Sequence, residues 1–122
     1  MKSNRSIGRK YEKLAADFLV KQGLNIITQN YYCSIGEIDI IAEDRNCLVF
    51  VEVKTRTSLK YGAPEYAVNY WKRKHLELSA RCYMEYFRMK DYFARFDIVE
   101  VFAKYADNNL DIEKINIIKN AF

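Results

Sequence analysis

The stretch "GEIDIIAEDRNCLVFVEVKTR", Gly36 to Arg56, decides the fold. "GEIDIIAED" and "CLVFVEVKTR" are runs of Ile, Val, Leu and Phe that read as two strands, with Arg45 and Asn46 as the tip between them. Strands this apolar ordinarily turn their polar positions to solvent. Here Glu37, Asp39, Glu52 and Lys54 stand among the apolar residues, and the pairing decides where they go.

If Arg45 and Asn46 form a two-residue loop, Asp44 pairs with Cys47, Asp39 falls opposite Glu52, and Glu37 falls opposite Lys54. Directly opposed residues project from one face with Cβ atoms about 5 Å apart. Ile38, Ile40 and Ala42 then share the other face with Val49, Val51 and Val53 as an apolar wall. The acid face also carries Ile41 and Phe50, so it is not simply a wet face. Two carboxylates about 5 Å apart, at an effective dielectric of about 20, repel by roughly 3 kcal/mol. A shared proton offsets that, and so does a divalent cation. Lys54 is no metal ligand, but an amine there suits an attacking water or a phosphate oxygen. The competing reading is a solvated cross-strand ion network of the same four residues. A slip of one residue in the pairing would send Asp39 and Glu52 to opposite faces.

Outward from the hairpin, Arg9 to Gln22 reads as a helix with Ile7, Tyr11, Leu14, Ala15 and Phe18 on one face and Gly23 as its stop. "LNIITQNYYC" reads as a strand before the hairpin. After it, "SLKYGAPE" reads as a loop, and Tyr66 to Met89 as a second helix with Val68, Trp71, His75, Ser79, Cys82 and Tyr86 inward. "RFDIVEVFAK" and "LDIEKINIIK" read as two closing strands joined by the turn "YADNN". The order helix, three strands, helix, two strands predicts an α/β (α+β) chain with a mixed five-stranded sheet flanked by helices. Its 122 residues fit a single domain, 1–122.

Twenty Lys and Arg against sixteen Asp and Glu give +4, a mild basic excess that admits a polyanion partner. Cys33, Cys47 and Cys82 have no zinc or disulfide spacing and read as buried thiols. No apolar run reaches the ~18 residues of a membrane helix. The N-terminus has no signal-peptide apolar region, so the expected location is cytoplasmic.

"D…ExK", as Asp39 and then Glu52-Val53-Lys54, resembles the active-site pattern of the PD-(D/E)xK nuclease superfamily, whose fold is restriction-endonuclease-like. The whole hairpin, with "GRKYEKLAADFLVKQGLNIITQN", "GAPEYAVNYWKRKHL", "ARFDIVEV" and "INIIKNAF" in order, looks like one group within it. That group is the small bacterial YraN family, also labelled UPF0102, which is similar to archaeal Holliday-junction resolvases. The resemblance implies Asp39 and Glu52 as metal carboxylates, the Val53 carbonyl as a further ligand, and Mg²⁺ or Mn²⁺ as the cofactor. It implies that Lys54 handles the attacking water or the phosphate, and that Glu12 comes to the same cleft. Ile38 stands where the superfamily has Pro, and Tyr32 where many members have a basic residue.

The expected function is therefore a metal-dependent endonuclease on DNA, including branched or single-stranded forms. A non-catalytic nucleic-acid-binding adaptor and an RNA-directed nuclease are the alternatives. Lys72, Arg73 and Lys74 on the second helix, and Arg56 beyond Lys54, are the candidate phosphate contacts. The competing reading for these cations is an ordinary charged surface, and for Arg56 the neutralisation of Glu37. Tyr31, Tyr32 and Tyr61 are candidate base-stacking rings, and Lys2 and Arg5 a basic arm. Trp71 and His75 read as packed residues. Related resolvases are dimers, so a homodimer is the assembly the resemblance implies.

Overall fold

The computed structural model describes residues 4–56, 69–106 and 109–122. Helix α1 spans Asn4–Lys21, followed by β1 (Asn25–Tyr32), β2 (Glu37–Asp44) and β3 (Cys47–Arg56). Helix α2 spans Tyr70–Tyr86 and leads to β4 (Phe93–Ala106) and β5 (Asn109–Ile118). The expected order of helix, three strands, helix and two strands is present. The five strands form one sheet in the order β1-β2-β3-β4-β5, antiparallel throughout except for the parallel pair β3 and β4. A parallel pair needs a crossover, and α2 belongs to that connection. Among the described residues no helix is long and apolar enough to cross a membrane.

The sheet is covered on both faces. On one, Tyr11, Ala15, Ala16 and Leu19 of α1 pack on Ile40, Ala42, Val49, Val51, Val99 and Val101. On the other, Leu76, Ala80 and Tyr83 of α2 pack on Ile41, Leu48, Phe50 and Ile98. Alternation along β3 explains the division: Leu48 and Phe50 face α2, while Val49 and Val51 face α1.

Helix α1 stops at Gly23 as its sequence predicts. Gly23 takes a φ of +97°. Its N–H donates to the Val20 carbonyl and that of Leu24 to the Leu19 carbonyl, at 3.0 and 3.1 Å. This is a Schellman closure, with Leu24 and Leu19 buried in the same cluster.

Helix α2 departs from expectation at both ends. It begins at Tyr70, because the Asn69 side chain caps it by accepting the Lys72 N–H at 2.9 Å. Pro64, Tyr66 and Val68 lie outside the described residues. The helix ends at Tyr86, where Arg88, with φ 55°, takes the left-handed position that glycine usually marks. The Met89 N–H closes onto the Met84 carbonyl at 2.8 Å.

The inward stripe of α2 is Leu76, Ser79, Ala80 and Tyr83. Of the expected stripe only Ser79 is buried, with Cys82 half-buried. Trp71, His75 and Tyr86 are exposed. With the helix starting at Tyr70, the buried positions fall on the 76, 79, 80, 83 spacing, and Trp71 lies off that face. The three cysteines are half-buried rather than buried, and Cys33 and Cys82 meet thiol to thiol.

At the end of the sheet away from Glu52, Arg95 joins three segments. Its Nε donates to both oxygens of Asp97 at 3.2 Å and its Nη1 to Asp44 at 3.0 Å. The Asn120 N–H donates to Asp97 at 2.9 Å, which fixes the C-terminal segment. The Asp97 side chain is fully enclosed, whereas that of Asp44 is 31% exposed. Truncating a buried partner strands the other charge, while an exposed pair contributes little. Asp97→Ala is therefore expected to lower the unfolding free energy by about 3 kcal/mol, and Asp44→Ala by less than about 1 kcal/mol. Urea denaturation of the two variants measures the difference.

Candidate active site

The tip of the hairpin folds as expected, with Asp44 opposite Cys47 and pairing that continues to Ile40 opposite Val51. There the ladder ends. Asp39 and Glu52 do not continue it as a regular cross-strand pair, and the expected apolar wall also breaks at this point. Ile40 packs toward α1, but Ile38 packs with Ile41 toward α2. Two residues apart on a regular strand share a face, so the strand twists out of register at Asp39. Glu37 accordingly pairs with Tyr32 of β1, and Lys54 with Glu100 of β4, rather than with each other.

The break brings Asp39 against the next strand. Its Oδ2 accepts the Val53 N–H at 2.9 Å, so a side chain completes a backbone bond that the ladder no longer supplies. Burial, then the Glu52 carboxylate, then Glu12 and Glu37 push the Asp39 carboxyl up to about 7, against the pull of the Val53 N–H. Glu52 is 8% exposed. Its Oε1 lies 2.8 Å from Lys72 Nζ and 3.6 Å from Lys54 Nζ. Burial, then the adjoining Lys72 ammonium, lower Lys54 below the ordinary lysine range. Burial also pulls Lys72 down, but its bonds to Glu52 and Lys54 and the nearby acids outweigh that and hold it above the ordinary range.

Glu12 approaches from α1. Burial, then the negative charges of Glu37 and Glu52, raise its carboxyl, while a hydrogen bond with Asn30 and the Arg9 charge lower it. Beside Glu12 a cleft of about 640 Å³ is lined by Gly8, Arg9, Glu12, Asn30, Tyr32 and Glu37, and Asp39, Glu52 and Lys54 are not among its lining residues. The structure thus gathers Asp39, Glu52, Val53, Lys54 and Lys72, with Glu12 close enough to share their field. Arg56 is half-buried, and its Nε has no hydrogen-bond partner. Arg73 lies elsewhere, its guanidinium 4.9 Å over the Phe122 ring, and Lys74 is exposed.

Two features escape the sequence. The direct Lys72–Glu52 contact depends on where α2 begins, and Asn69, a good cap residue, is the signal that fixes it. Glu100 is fully buried beside Lys54 in the sheet register. One of its oxygens accepts from Asn116 Nδ2 at 3.0 Å and the other has no partner. Nothing in an apolar strand pattern marks that acid.

Among the described residues no three His, Cys, Asp or Glu side chains converge as a metal cluster. The acidic oxygens that this end of the hairpin offers a hard cation are those of Asp39 and Glu52. Two crowded carboxylates, one with its pKa pushed up to about 7, suit a divalent ion such as Mg²⁺, which needs only one or two protein carboxylates.

The raised Asp39 carboxyl makes the protein's stability depend on pH. Between the ordinary value of 3.8 and about 7, the folded chain holds a proton that the unfolded chain has released, so stability falls as pH rises through this window. Asp39→Asn keeps an acceptor for Val53 and removes the charge. In the absence of divalent ions it is expected to melt at a higher temperature than the parent at pH 8. At pH 4 the gap closes. Thermal melts at the two pH values measure it.

The family description "Uncharacterised protein family UPF0102" matches residues 11–101. A UPF0102 protein of Caldicellulosiruptor bescii is 46% identical over 119 residues, 97% of this chain and 98% of the relative. One from Caldicellulosiruptor saccharolyticus is 43% identical over 120 residues, 98% of this chain and 99% of the relative. A third, from Clostridium botulinum, is 41% identical over 121 residues, 98% of this chain and 95% of the relative. With the match extending from the first helix through both strands of the hairpin and into β4, the chain belongs to the UPF0102 family.

Proposed function

We propose that this protein is a divalent-cation-dependent endonuclease that hydrolyses phosphodiester bonds of DNA. The observation that carries the reading is the convergence of Asp39, Glu52 and Lys54 where the β2–β3 ladder ends. Two acids forced together with an amine beside them are poor structural chemistry and good phosphoryl-transfer chemistry. Asp39, Glu52 and the Val53 carbonyl would hold Mg²⁺ or Mn²⁺, which supplies Lewis-acid polarisation of a phosphoryl oxygen. Lys54 positions the attacking water by hydrogen bonding and meets the negative charge that grows on the phosphoryl oxygens. Lys72 reaches the same carboxylate from α2 and is placed to take a phosphate of the strand. Arg56, with its buried Nε unpartnered, is a second group with bonds to give to a phosphate.

One observation favours a second reading, that of a nucleic-acid-binding adaptor without catalysis. Lys72 Nζ already neutralises Glu52 at 2.8 Å, so the acid can serve as an anchor for α2.

The test is cleavage of plasmid, single-stranded, flap and four-way-junction DNA, with RNA alongside, in Mg²⁺ and in Mn²⁺. The parent protein is expected to cut, and Glu52→Gln and Lys54→Ala to lose at least about 10²-fold in rate, with folding retained by circular dichroism. Binding without cutting in the parent would establish the adaptor. Cutting that survives Glu52→Gln would remove the site from the chemistry.

A further inference from the structure

We propose that Tyr70 and Trp71 form a stacking platform for an unpaired nucleobase next to the bond that is cut, so that the substrate carries single-stranded character at that point. The inference rests on the nuclease reading of the Asp39–Glu52–Lys54 site and names the strand that the site accepts.

Tyr70 is 64% exposed and Trp71 70%. Neither belongs to either core cluster, although both open the helix that covers one face of the sheet. Their rings meet edge to face with centroids 5.3 Å apart and planes at 79°. That geometry covers one face of one ring and leaves other ring faces open to a flat partner.

Position gives the platform its meaning. Trp71 directly precedes Lys72, whose Nζ touches Glu52 at 2.8 Å. A strand whose phosphate lies at Lys72 would pass the start of α2, where the two rings stand exposed. Lys74, exposed on the same turn, adds positive charge. Aromatic faces interleaved with cations are what single-stranded nucleic acid binds: the cations follow the backbone and the rings stack the bases.

A second exposed aromatic group, Tyr86, Phe87, Tyr92 and Phe93, lies at the far end of the helix. At 1.5 Å per residue that is about 24 Å from Tyr70, too distant to serve the same phosphate. A paired base has its faces buried in the duplex stack and offers none to Trp71. Only a splayed or single-stranded base does.

Trp71 is the one tryptophan of the chain, so its emission reports on the platform alone. The experiment titrates the full-length protein, divalent ions withheld, with three DNAs of equal length: a single strand, a duplex, and a strand of abasic sites with the same phosphates. The single strand is expected to quench Trp71 emission about twofold, and the other two to leave it nearly unchanged. Trp71→Ala is expected to weaken single-strand binding by about tenfold, read by anisotropy of labelled DNA, with duplex binding unaltered and Trp71→Phe restoring most of the loss.

Equal responses to all three DNAs would overturn the platform. So would emission that shifts with protein concentration alone, which would mean the rings are covered by a second copy of the chain. If the parent cuts DNA but Trp71 does not respond to the single strand, the platform fails and the nuclease reading stands. If Trp71 is quenched by single strands but nothing is cut with Mg²⁺ or Mn²⁺, the nuclease reading fails and the rings remain a binding site.

Discussion

The bond from the Val53 N–H to the Asp39 carboxylate, 2.9 Å long, sits where β2 and β3 part while β3 stays paired with β4. Beyond Ile40 and Val51 the regular pairing of the hairpin ends, and a backbone donor that would go unpaired is taken by a side chain. The bond holds Asp39 against β3 beside Glu52, in surroundings that favour its neutral form. A carboxylate in this place serves the backbone and strains the electrostatics together. The rest of the site is arranged around that conflict.

Compensation comes from cations on two elements. Lys54 belongs to the same strand as Glu52, and its register partner on β4 is Glu100. Lys72 arrives from α2 and makes the shorter contact with Glu52. Because α2 is packed on the sheet through Leu76, Ala80 and Tyr83, the position of Lys72 is set by the core on that face. Glu12 is placed in the same way from the other side, through Tyr11 and Ala15 of α1. Two helices on opposite faces thus deliver charge to one end of one hairpin. The Arg95–Asp97–Asp44 cluster is the structural counterpart, with every acid matched to a donor. The contrast is informative. In the Arg95 cluster each carboxylate has a cation or an N–H to accept from, although Arg95 Nη2 is buried without a partner, whereas the Asp39 end holds an acid pushed toward neutrality.

Particular residues show what a linear reading reaches. The alternation of Leu48, Val49, Phe50 and Val51 gave β3 its two faces, and the Arg45–Asn46 tip fixed its register against β2, because each depends on neighbours a few residues apart. Gly23 marked the end of α1 since a left-handed position favours glycine. Arg88 occupies the same kind of position with no such mark, and so the end of α2 was overshot. The stripe through Trp71, His75 and Tyr86 failed for a related reason. A helix wheel without a fixed start can be rotated, and burial against Phe50 and Ile41 chose Leu76, Ala80 and Tyr83 instead.

The order of elements, the pairing at the tip of the hairpin and the closeness of Lys54 to Glu52 were determined by the sequence itself, since periodicity, turn chemistry and short spacing are local properties of a chain. Tertiary structure alone decided that the ladder ends at Ile40, that Ile38 turns to the opposite face, that Lys72 meets Glu52, and that Tyr70 and Trp71 stay outside the core. Each of these is a contact or an exposure set between segments far apart in the chain. It follows from how two helices and five twisted strands fill the space between them, which no window of residues contains.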